Sequence, residues 1–284
     1  MIRIETLNTA YLLSTDRAPE SEGNRAETWR VDLLLNDGSD TKAFLKIQPA
    51  YETLADLIGA LVGRAVGMRI PKPCLVLAKR AKFTDGDGCK SKQWAALFKD
   101  QEETLLFALE DAKAISFKRR INANSTQAAK DLRRWDRYAD TAIYDEWIAN
   151  TDRNFGNILF DGVDYWLIDH DLSLMGEYRQ LWGLEASRPC PDNLLLEALL
   201  RTNPSEIQRY RLRKDANQLS GRYRQLDLSG LVQPRLIEYA RLMEEISHRD
   251  IHEAMTFLAD RITYLTEIVC HKLGMPELPL GQPG

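Results

Sequence analysis

The sequence predicts an α+β fold, in which a small strand-rich part with one helix precedes a larger, mainly helical part. Runs of β-branched and aromatic residues, separated by turn residues, occupy the chain up to about residue 110. Beyond about residue 126, apolar residues recur at helical spacing instead. We therefore expect an N-terminal lobe of residues 1–109 and a C-terminal lobe of residues 110–284.

Strands and one helix account for the N-terminal lobe. Residues 28–36 and 42–48 are β-rich and flank a cluster of Asn, Asp, Gly and Ser residues, which predicts a hairpin. A helix is predicted over residues 51–67, because its apolar residues have helical spacing and Gly67 supplies a stop. The further strand-like runs that complete a small mixed sheet are residues 74–83, 93–98 and 104–109.

The C-terminal lobe is predicted to begin with a long helix that leads into a hairpin. The apolar stripe of this helix comprises Leu132, Trp135, Tyr138, Ala142, Ile143 and Trp147. Two short strands follow at residues 158–160 and 165–169, joined by the turn pair Asp161 and Gly162. The remainder of the chain is expected to be mainly helical.

Composition limits the class of partner. The 284 residues carry a formal net charge of -4, with a pI of about 5.7, so no overall attraction to nucleic acid or an anionic membrane is expected. Basic clusters at residues 118–120 and at Arg133, Arg134 and Arg137 are interpreted as solvated helix faces or as local anion sites. The four cysteines form no CxxC pair and are expected to be free thiols, mostly buried. The absence of a leader-like or long apolar stretch predicts a soluble, cytoplasmic protein.

The segment from Ile148 to Leu174 contains the residues that suggest a chemistry. Asp152 and Asn157 lie in one loop, and Asp169 follows the predicted hairpin. The hairpin turns the chain back, so Asp169 is expected beside Asn157. Phosphoryl transfer needs a carboxylate near the acceptor hydroxyl, and oxygen ligands that hold Mg²⁺ against the phosphates. The order Asp, Asn, hairpin, Asp supplies both.

The stretches NTDRNFGNILF and YWLIDHDLSL resemble the catalytic and metal loops of HipA-like kinases and, in wording, those of phosphatidylinositol kinases. The resemblance implies a protein-kinase-like, two-lobed fold that binds ATP and Mg²⁺ in the cleft between the lobes. It also implies that Asp152 is the catalytic carboxylate and that Asn157 and Asp169 bind the metal. Asp171 is a further candidate metal ligand, and the resemblance ranks Asp169 first of the two.

The same resemblance extends upstream to the strand AFLKIQ, which implies that Lys46 contacts the ATP phosphates. The following helix is then expected to supply an acidic partner for Lys46, either Glu52 or Asp56, and the distance from the end of the helix favours Asp56. There is no glycine-rich GxGxxG loop, so Gly23 is the candidate that closes over the nucleotide. Arg153 is expected either to neutralise phosphate charge or to pair with Asp169.

The function that this resemblance implies is transfer of the γ-phosphate of ATP to a Ser or Thr hydroxyl of an unidentified protein substrate. HipA-like kinases often belong to toxin–antitoxin pairs, which implies an antitoxin as a partner. Two alternatives stay open: a kinase of small molecules or lipids, and a nucleotide-binding pseudokinase scaffold suggested by the missing glycine-rich loop.

Overall fold

The computed structural model describes residues 1–16, 26–82, 84–85, 88–89, 102–121, 131, 134–174, 185–243 and 245–275. The strands are β1 Ile2–Arg3, β2 Asn8–Thr15, β3 Glu27–Leu35, β4 Asp40–Ile47, β5 Pro73–Lys79, β6 Thr84–Asp85, β7 Gly88–Cys89, β8 Glu103–Glu110, β9 Ile115–Ser116, β10 Ile158–Phe160, β11 Tyr165–Leu167 and β12 Leu226–Asp227. The α-helices are α1 Ala50–Ala65, α2 Phe117–Arg120, α3 Tyr138–Trp147, α4 Leu194–Arg201, α5 Glu206–Tyr223, α6 Pro234–Leu242 and α7 His248–Lys272. Strands dominate the described residues before α2 and helices dominate after it, which confirms the predicted α+β class.

Five strands of the N-terminal part close into a barrel in the order β2, β3, β4, β8, β5. The predicted mixed sheet is confirmed, because β2 runs parallel to β5 while the other neighbouring pairs are antiparallel. Closure of that sheet was not predicted. It leaves these five strands without a free edge. The barrel interior is a separate hydrophobic core whose buried members include Trp29, Leu33, Leu45, Val76 and Ala108. The predicted strand at residues 93–98 lies outside the described residues.

The hairpin of β3 and β4 confirms the prediction from the turn cluster. Gly38 adopts a left-handed φ of 82°, and the Asp37 carboxylate accepts a hydrogen bond from the backbone nitrogen of Ser39 at 2.9 Å. Along β4, Ala43, Leu45 and Ile47 belong to the barrel interior. Successive side chains of a strand alternate between its faces, so Lys46 faces out of the barrel, toward α1.

Helix α1 packs against the residues that follow the second hairpin, because two of its positions are glycine. A Cβ atom on Gly59 would lie 2.6 Å from the Cβ atom of His170, and one on Gly63 would lie 2.6 Å from the hydroxyl oxygen of Tyr144. The Tyr144 hydroxyl donates a hydrogen bond to the Gly59 carbonyl at 2.6 Å. The absence of side chains at these glycines therefore lets the α1 backbone approach the C-terminal part directly.

One hydrophobic core runs from α1 into the helices of the C-terminal part. Leu57 and Leu61 of α1 belong to the same buried cluster as Trp147 of α3 and Leu258 of α7. The Trp147 indole also donates to the Leu258 carbonyl at 3.0 Å. Strand β1 pairs in parallel with β12, so the start of the chain is bonded to this part as well. The lobe boundary near residue 109 stays a prediction.

Other predictions from the sequence can be compared with the observed elements and thiols. The hairpin strands β10 and β11 fall where they were expected, whereas the helix predicted from Leu132 begins at Tyr138, and Trp135 precedes it. Cys74 and Cys190 are buried free thiols, and Cys270 is a partly buried one. In the part of the chain that the structure describes, no helix has the length and apolar character needed to cross a bilayer.

We expect Gly59→Ala to destabilise the protein by about 1–3 kcal/mol, because its new methyl group meets the backbone-fixed Cβ of His170. Gly221→Ala is the matched control, since it also lies in a helix and has no neighbouring atom within 4 Å of its Cβ position. The free energy of unfolding of this control should rise by about 0.5–1 kcal/mol, because Ala has a higher helix propensity than Gly. Urea unfolding of both variants measures the difference. Equal responses of the two variants would contradict a close contact at Gly59.

Candidate active site

The Lys46 ammonium joins three parts of the fold. Its Nζ atom lies 2.6 Å from Asp56 Oδ2 on α1 and 2.5 Å from Asp169 Oδ1, which follows β11. Lys46 and Asp56 are buried, whereas 29% of the Asp169 side-chain surface is exposed to solvent. The structure thus brings together three of the residues that the sequence singled out, and leaves Asp169 open to solvent.

Asp56 is the acidic residue on α1 that contacts Lys46. Its second oxygen, Oδ1, accepts a hydrogen bond from the His170 backbone nitrogen at 2.9 Å. Burial raises the pKa of Asp56, but the charge of Lys46 and the side chain of His170 lower it by more, so the net shift is downward. Burial lowers the pKa of Lys46, but the charges of Asp169 and Asp56 raise it by more. These opposed charges therefore hold one another in the ionised state.

Asp152 and Asn157 are in direct contact within the loop that follows α3. Asn157 Nδ2 donates to the Asp152 carbonyl at 2.6 Å and to its Oδ2 atom at 3.3 Å. Asn154 Nδ2 lies 3.1 Å from both carboxylate oxygens of Asp152, and its own oxygen accepts from the Gly156 nitrogen at 2.7 Å. Sequence reasoning missed Asn154. Its position two residues after an Asp in a turn was the available signal, because Asn side chains there often bond the local chain.

Arg153 needs a correction, since it makes neither of the two contacts expected from the sequence. The guanidinium is buried and pairs with Asp145, with Nη2 lying 3.1 Å from Oδ1. It also donates to the carbonyl oxygens of Asn157 and Ile168. A guanidinium whose donors are used inside the protein cannot also bind a phosphate in the cleft. Arg153 instead clamps the two arms of the hairpin together.

Backbone hydrogen bonds set the loop of Asp152 beside the loop of Asp169. The Ile168 nitrogen donates to the Asn157 carbonyl at 3.1 Å, continuing the register of β10 and β11. The Thr151 nitrogen donates to the Leu172 carbonyl at 3.1 Å. Asn157 and Asp169 consequently lie on adjoining chain segments, as the hairpin predicted.

Left-handed backbone conformations cluster around these loops. Asp169 has a φ of 65°, Ala149 a φ of 52° and Leu174 a φ of 60°. Such values are costly for residues with a Cβ, and they concentrate at functional sites in proteins. The Leu174 nitrogen is bonded to the Ile148 carbonyl at 2.8 Å, which holds the two ends of the segment together.

Asp171 supplies a second carboxylate near Asp169. Its side chain is buried, and burial together with the Asp169 charge raises its pKa to about 7. Glu52, the other acidic candidate on α1, contributes to the same upward shift. Among the described residues, none donates a hydrogen bond to the Asp171 carboxylate. The Lys46 charge acts on this carboxylate but does not offset burial and the neighbouring carboxylates, so a bound cation would stabilise its ionised form.

The oxygen donors present here suit Mg²⁺. The Asn157 amide nitrogen is used within the loop, which leaves its oxygen as a possible ligand beside the carboxylates of Asp169 and Asp171. No group of three or more His, Cys, Asp or Glu side chains in metal-binding arrangement occurs among the described residues. Mg²⁺ sites of nucleotide enzymes need fewer protein ligands, because one or two carboxylates suffice when phosphate and water oxygens complete the coordination of the ion. Gly23, the candidate for closing over the nucleotide, lies outside the described residues.

Neither a protein-family model nor a curated protein matches the sequence. Among solved structures, the chain is similar to a bacterial kinase. That structure is the proinflammatory kinase CtkA of Helicobacter pylori, with a TM-score of 0.48, 12% sequence identity and coverage of 94% of this chain and 99% of that chain.

We expect Asp171→Asn to change how stability depends on pH in metal-free buffer. The folded-state pKa of about 7 lies above the ordinary 3.8, so the folded state holds the proton more tightly, and stability falls as the pH rises between these values. The amide in Asp171→Asn does not titrate, so the unfolding free energy of the variant does not fall in this way. Relative to the wild type it should therefore gain about 1 kcal/mol of unfolding free energy per pH unit across this window, then level off above pH 7.

Urea unfolding with a chelator present, at several pH values from 5 to 8, measures this gain. Asp260→Asn, on an exposed position of α7, is the matched control and should follow the wild type. A constant difference between Asp171→Asn and the wild type at every pH would show that Asp171 does not titrate in this range.

Proposed function

We propose that this protein is an ATP-dependent phosphotransferase of the protein-kinase-like fold. The observation that carries the proposal is the contact of Lys46 with both Asp56 and Asp169, beside a loop in which Asp152 and Asn157 touch. A buried Lys paired to a helix carboxylate, a metal-loop Asp, and a catalytic Asp with a nearby Asn are the recurring parts of kinase active sites. All of these positions occur here on adjoining segments.

Each residue has a distinct task in this proposal. Lys46, oriented by Asp56, supplies positive charge to the nucleotide phosphates. Asn157 and Asp169 are the residues that would hold Mg²⁺, with Asp171 beside them, and the bound ion would neutralise phosphate charge. Asp152 is partly exposed, and its carboxylate is oriented by the amides of Asn154 and Asn157. In that position it accepts the proton of the attacking hydroxyl.

The acceptor that we propose is a Ser or Thr hydroxyl on a protein, and the proposed setting is a toxin–antitoxin pair with an antitoxin as partner. Both follow from the resemblance of residues 150–160 and 165–174 to the loops of HipA-like kinases. The presence of an oriented Asp152 favours an active enzyme over a scaffold that only binds nucleotide.

We expect Asp152→Ala to lower the rate of phosphate transfer at least about 100-fold while nucleotide affinity stays near that of the wild type. The reason is that Asp152 acts on the acceptor hydroxyl and does not hold the nucleotide. Asp260→Ala, at an exposed position of α7, is the control for loss of a carboxylate. Transfer from radiolabelled ATP and calorimetric nucleotide binding measure the two properties. Wild-type turnover in Asp152→Ala would remove Asp152 from the mechanism.

The same transfer assay separates the acceptor classes. Radiolabel should appear on lysate proteins with the wild-type enzyme and be absent with Asp152→Ala, and phosphosites should be Ser or Thr by mass spectrometry. Label confined to a small-molecule or lipid fraction would support the alternative acceptor class and reject the protein acceptor. Absence of label in every fraction, with nucleotide binding intact, would support the scaffold alternative.

We expect Asp169→Asn to abolish the dependence of nucleotide affinity on Mg²⁺. Asn is the suitable replacement, because it keeps the size of Asp and tolerates the left-handed φ of 65° at this position, while it removes the charge. Titration of ATP with Mg²⁺ and with a chelator measures the effect, and Asp260→Asn is the control. If Mg²⁺ strengthened ATP binding equally in Asp169→Asn and the wild type, Asp169 would not be the metal ligand.

A further inference from the structure

A cleft of about 330 Å³ lies where the residues after α1, the start of α3 and strand β11 meet. Its lining includes Arg69, Arg134, Trp135, Arg137, Asp164 and Tyr165. None of the residues assigned above to nucleotide, metal or catalysis is part of this lining. The volume is in the range of small-molecule sites in proteins. The cleft is thus a second candidate binding site.

Aromatic rings form one wall of this cleft. The rings of Trp135 and Tyr165 have centroids 4.8 Å apart and are tilted by 35°. Tyr138 supports Trp135 from the start of α3, edge to face at 5.9 Å. Trp135 and Tyr165 are only half-buried, so part of this wall stays open to a ligand. Planar rings are the groups that such a wall binds best.

Positive charge exceeds negative charge along the lining, since three arginines, at 69, 134 and 137, face two aspartates, at 136 and 164. Arg69 is paired with Asp164 at 2.7 Å, and Arg137 bonds the Gly67 carbonyl and lies 3.8 Å from Asp140. The exposed Arg134 side chain makes no hydrogen bond or ion pair with any residue that the structure describes. Arg134 is therefore the guanidinium left to bind a ligand.

We propose that this cleft binds a small ligand in which an acidic group, a phosphate or a carboxylate, is attached to an aromatic ring. The ring lies against Trp135 and Tyr165, and the acidic group pairs with Arg134, where a guanidinium matches two oxygens at once. Arg137, three residues after Arg134, also lines the cleft and adds positive charge.

The cleft adjoins the part of the chain that leads to Asp169. The Leu167 nitrogen donates to the Arg69 carbonyl at 2.8 Å, and both residues line the cleft. Asp169 follows Leu167 by two positions. A ligand in the cleft would accordingly contact the strand that presents Asp169, without occupying the nucleotide site.

Calorimetric titration of the full chain with phenyl phosphate tests the proposal. We expect binding that is at least about tenfold weaker in Arg134→Gln, because a charged, two-oxygen contact is lost. Arg211→Gln, an exposed arginine on α5, is the matched control and should bind as the wild type does. Trp135→Leu should weaken binding several-fold, because part of the aromatic wall is lost. If Trp135→Leu does not fold, the test is decided by Arg134→Gln, which changes an exposed side chain.

Three further probes establish which parts of the ligand matter. Inorganic phosphate and phenol should each bind more weakly than phenyl phosphate, because each lacks one of the two recognised groups. Benzoate compared with phenyl phosphate distinguishes a carboxylate from a phosphate ligand, and the tighter of the two identifies the acid. The proposal is overturned if neither aromatic acid binds at up to about 10 mM, a very weak affinity. It is equally overturned if Arg134→Gln binds phenyl phosphate like the wild type, or if inorganic phosphate binds as tightly.

Discussion

The ion pairs of the buried Lys46 ammonium are the interaction on which the candidate site depends. A charge inside a protein is tolerated only when opposite charges and hydrogen bonds replace the water it has lost. Lys46 obtains these from Asp56 on α1 and from Asp169 after β11, so the barrel, the helix and the hairpin must keep one relative arrangement. Each of these two carboxylates supplies one of the ion pairs that hold the ammonium in place. The same ion pairs therefore fix both the geometry of the site and the relative positions of the barrel, the helix and the hairpin.

Negative charge exceeds positive charge at this point of the molecule. One ammonium faces Asp56, Asp169 and Asp171, and the charge of Glu52 also acts on Asp171. Burial of the Asp171 carboxylate, together with repulsion from the neighbouring carboxylates, raises its pKa to about 7. A site that is unfavourable when empty gains from binding a cation. That excess of negative charge supports the proposed role in holding Mg²⁺ with a nucleotide.

Local patterns in the sequence were enough to predict the hairpins, because turn chemistry and alternating apolar residues act over a few positions. The closure of the barrel was not predictable in this way, since it depends on β2 pairing with β5, in which Asn8 lies opposite Cys74. The distance from the end of the helix favoured Asp56 over Glu52, and Asp56 is the residue that contacts Lys46. Arg153, by contrast, was misassigned. Its neighbours along the chain suggested the cleft, but burial beside Asp145 is set by tertiary packing.

The last helix also contributes to the loop of Asp152, although it is far from it in sequence. Arg261 of α7 donates to the carboxylate of Glu146 at 3.1 Å, and the same carboxylate accepts from the Cys190 nitrogen at 2.6 Å. The Cys190 thiol lies 3.4 Å from the Asn150 carbonyl, and the Asn150 side chain accepts from the Asp152 nitrogen. Glu146 and Arg261 are fully buried, so their ion pair replaces part of the hydration that both side chains lose on folding. The buried pair therefore fixes α7 to the end of α3, and from there the hydrogen bonds through Cys190 and Asn150 reach the backbone of Asp152.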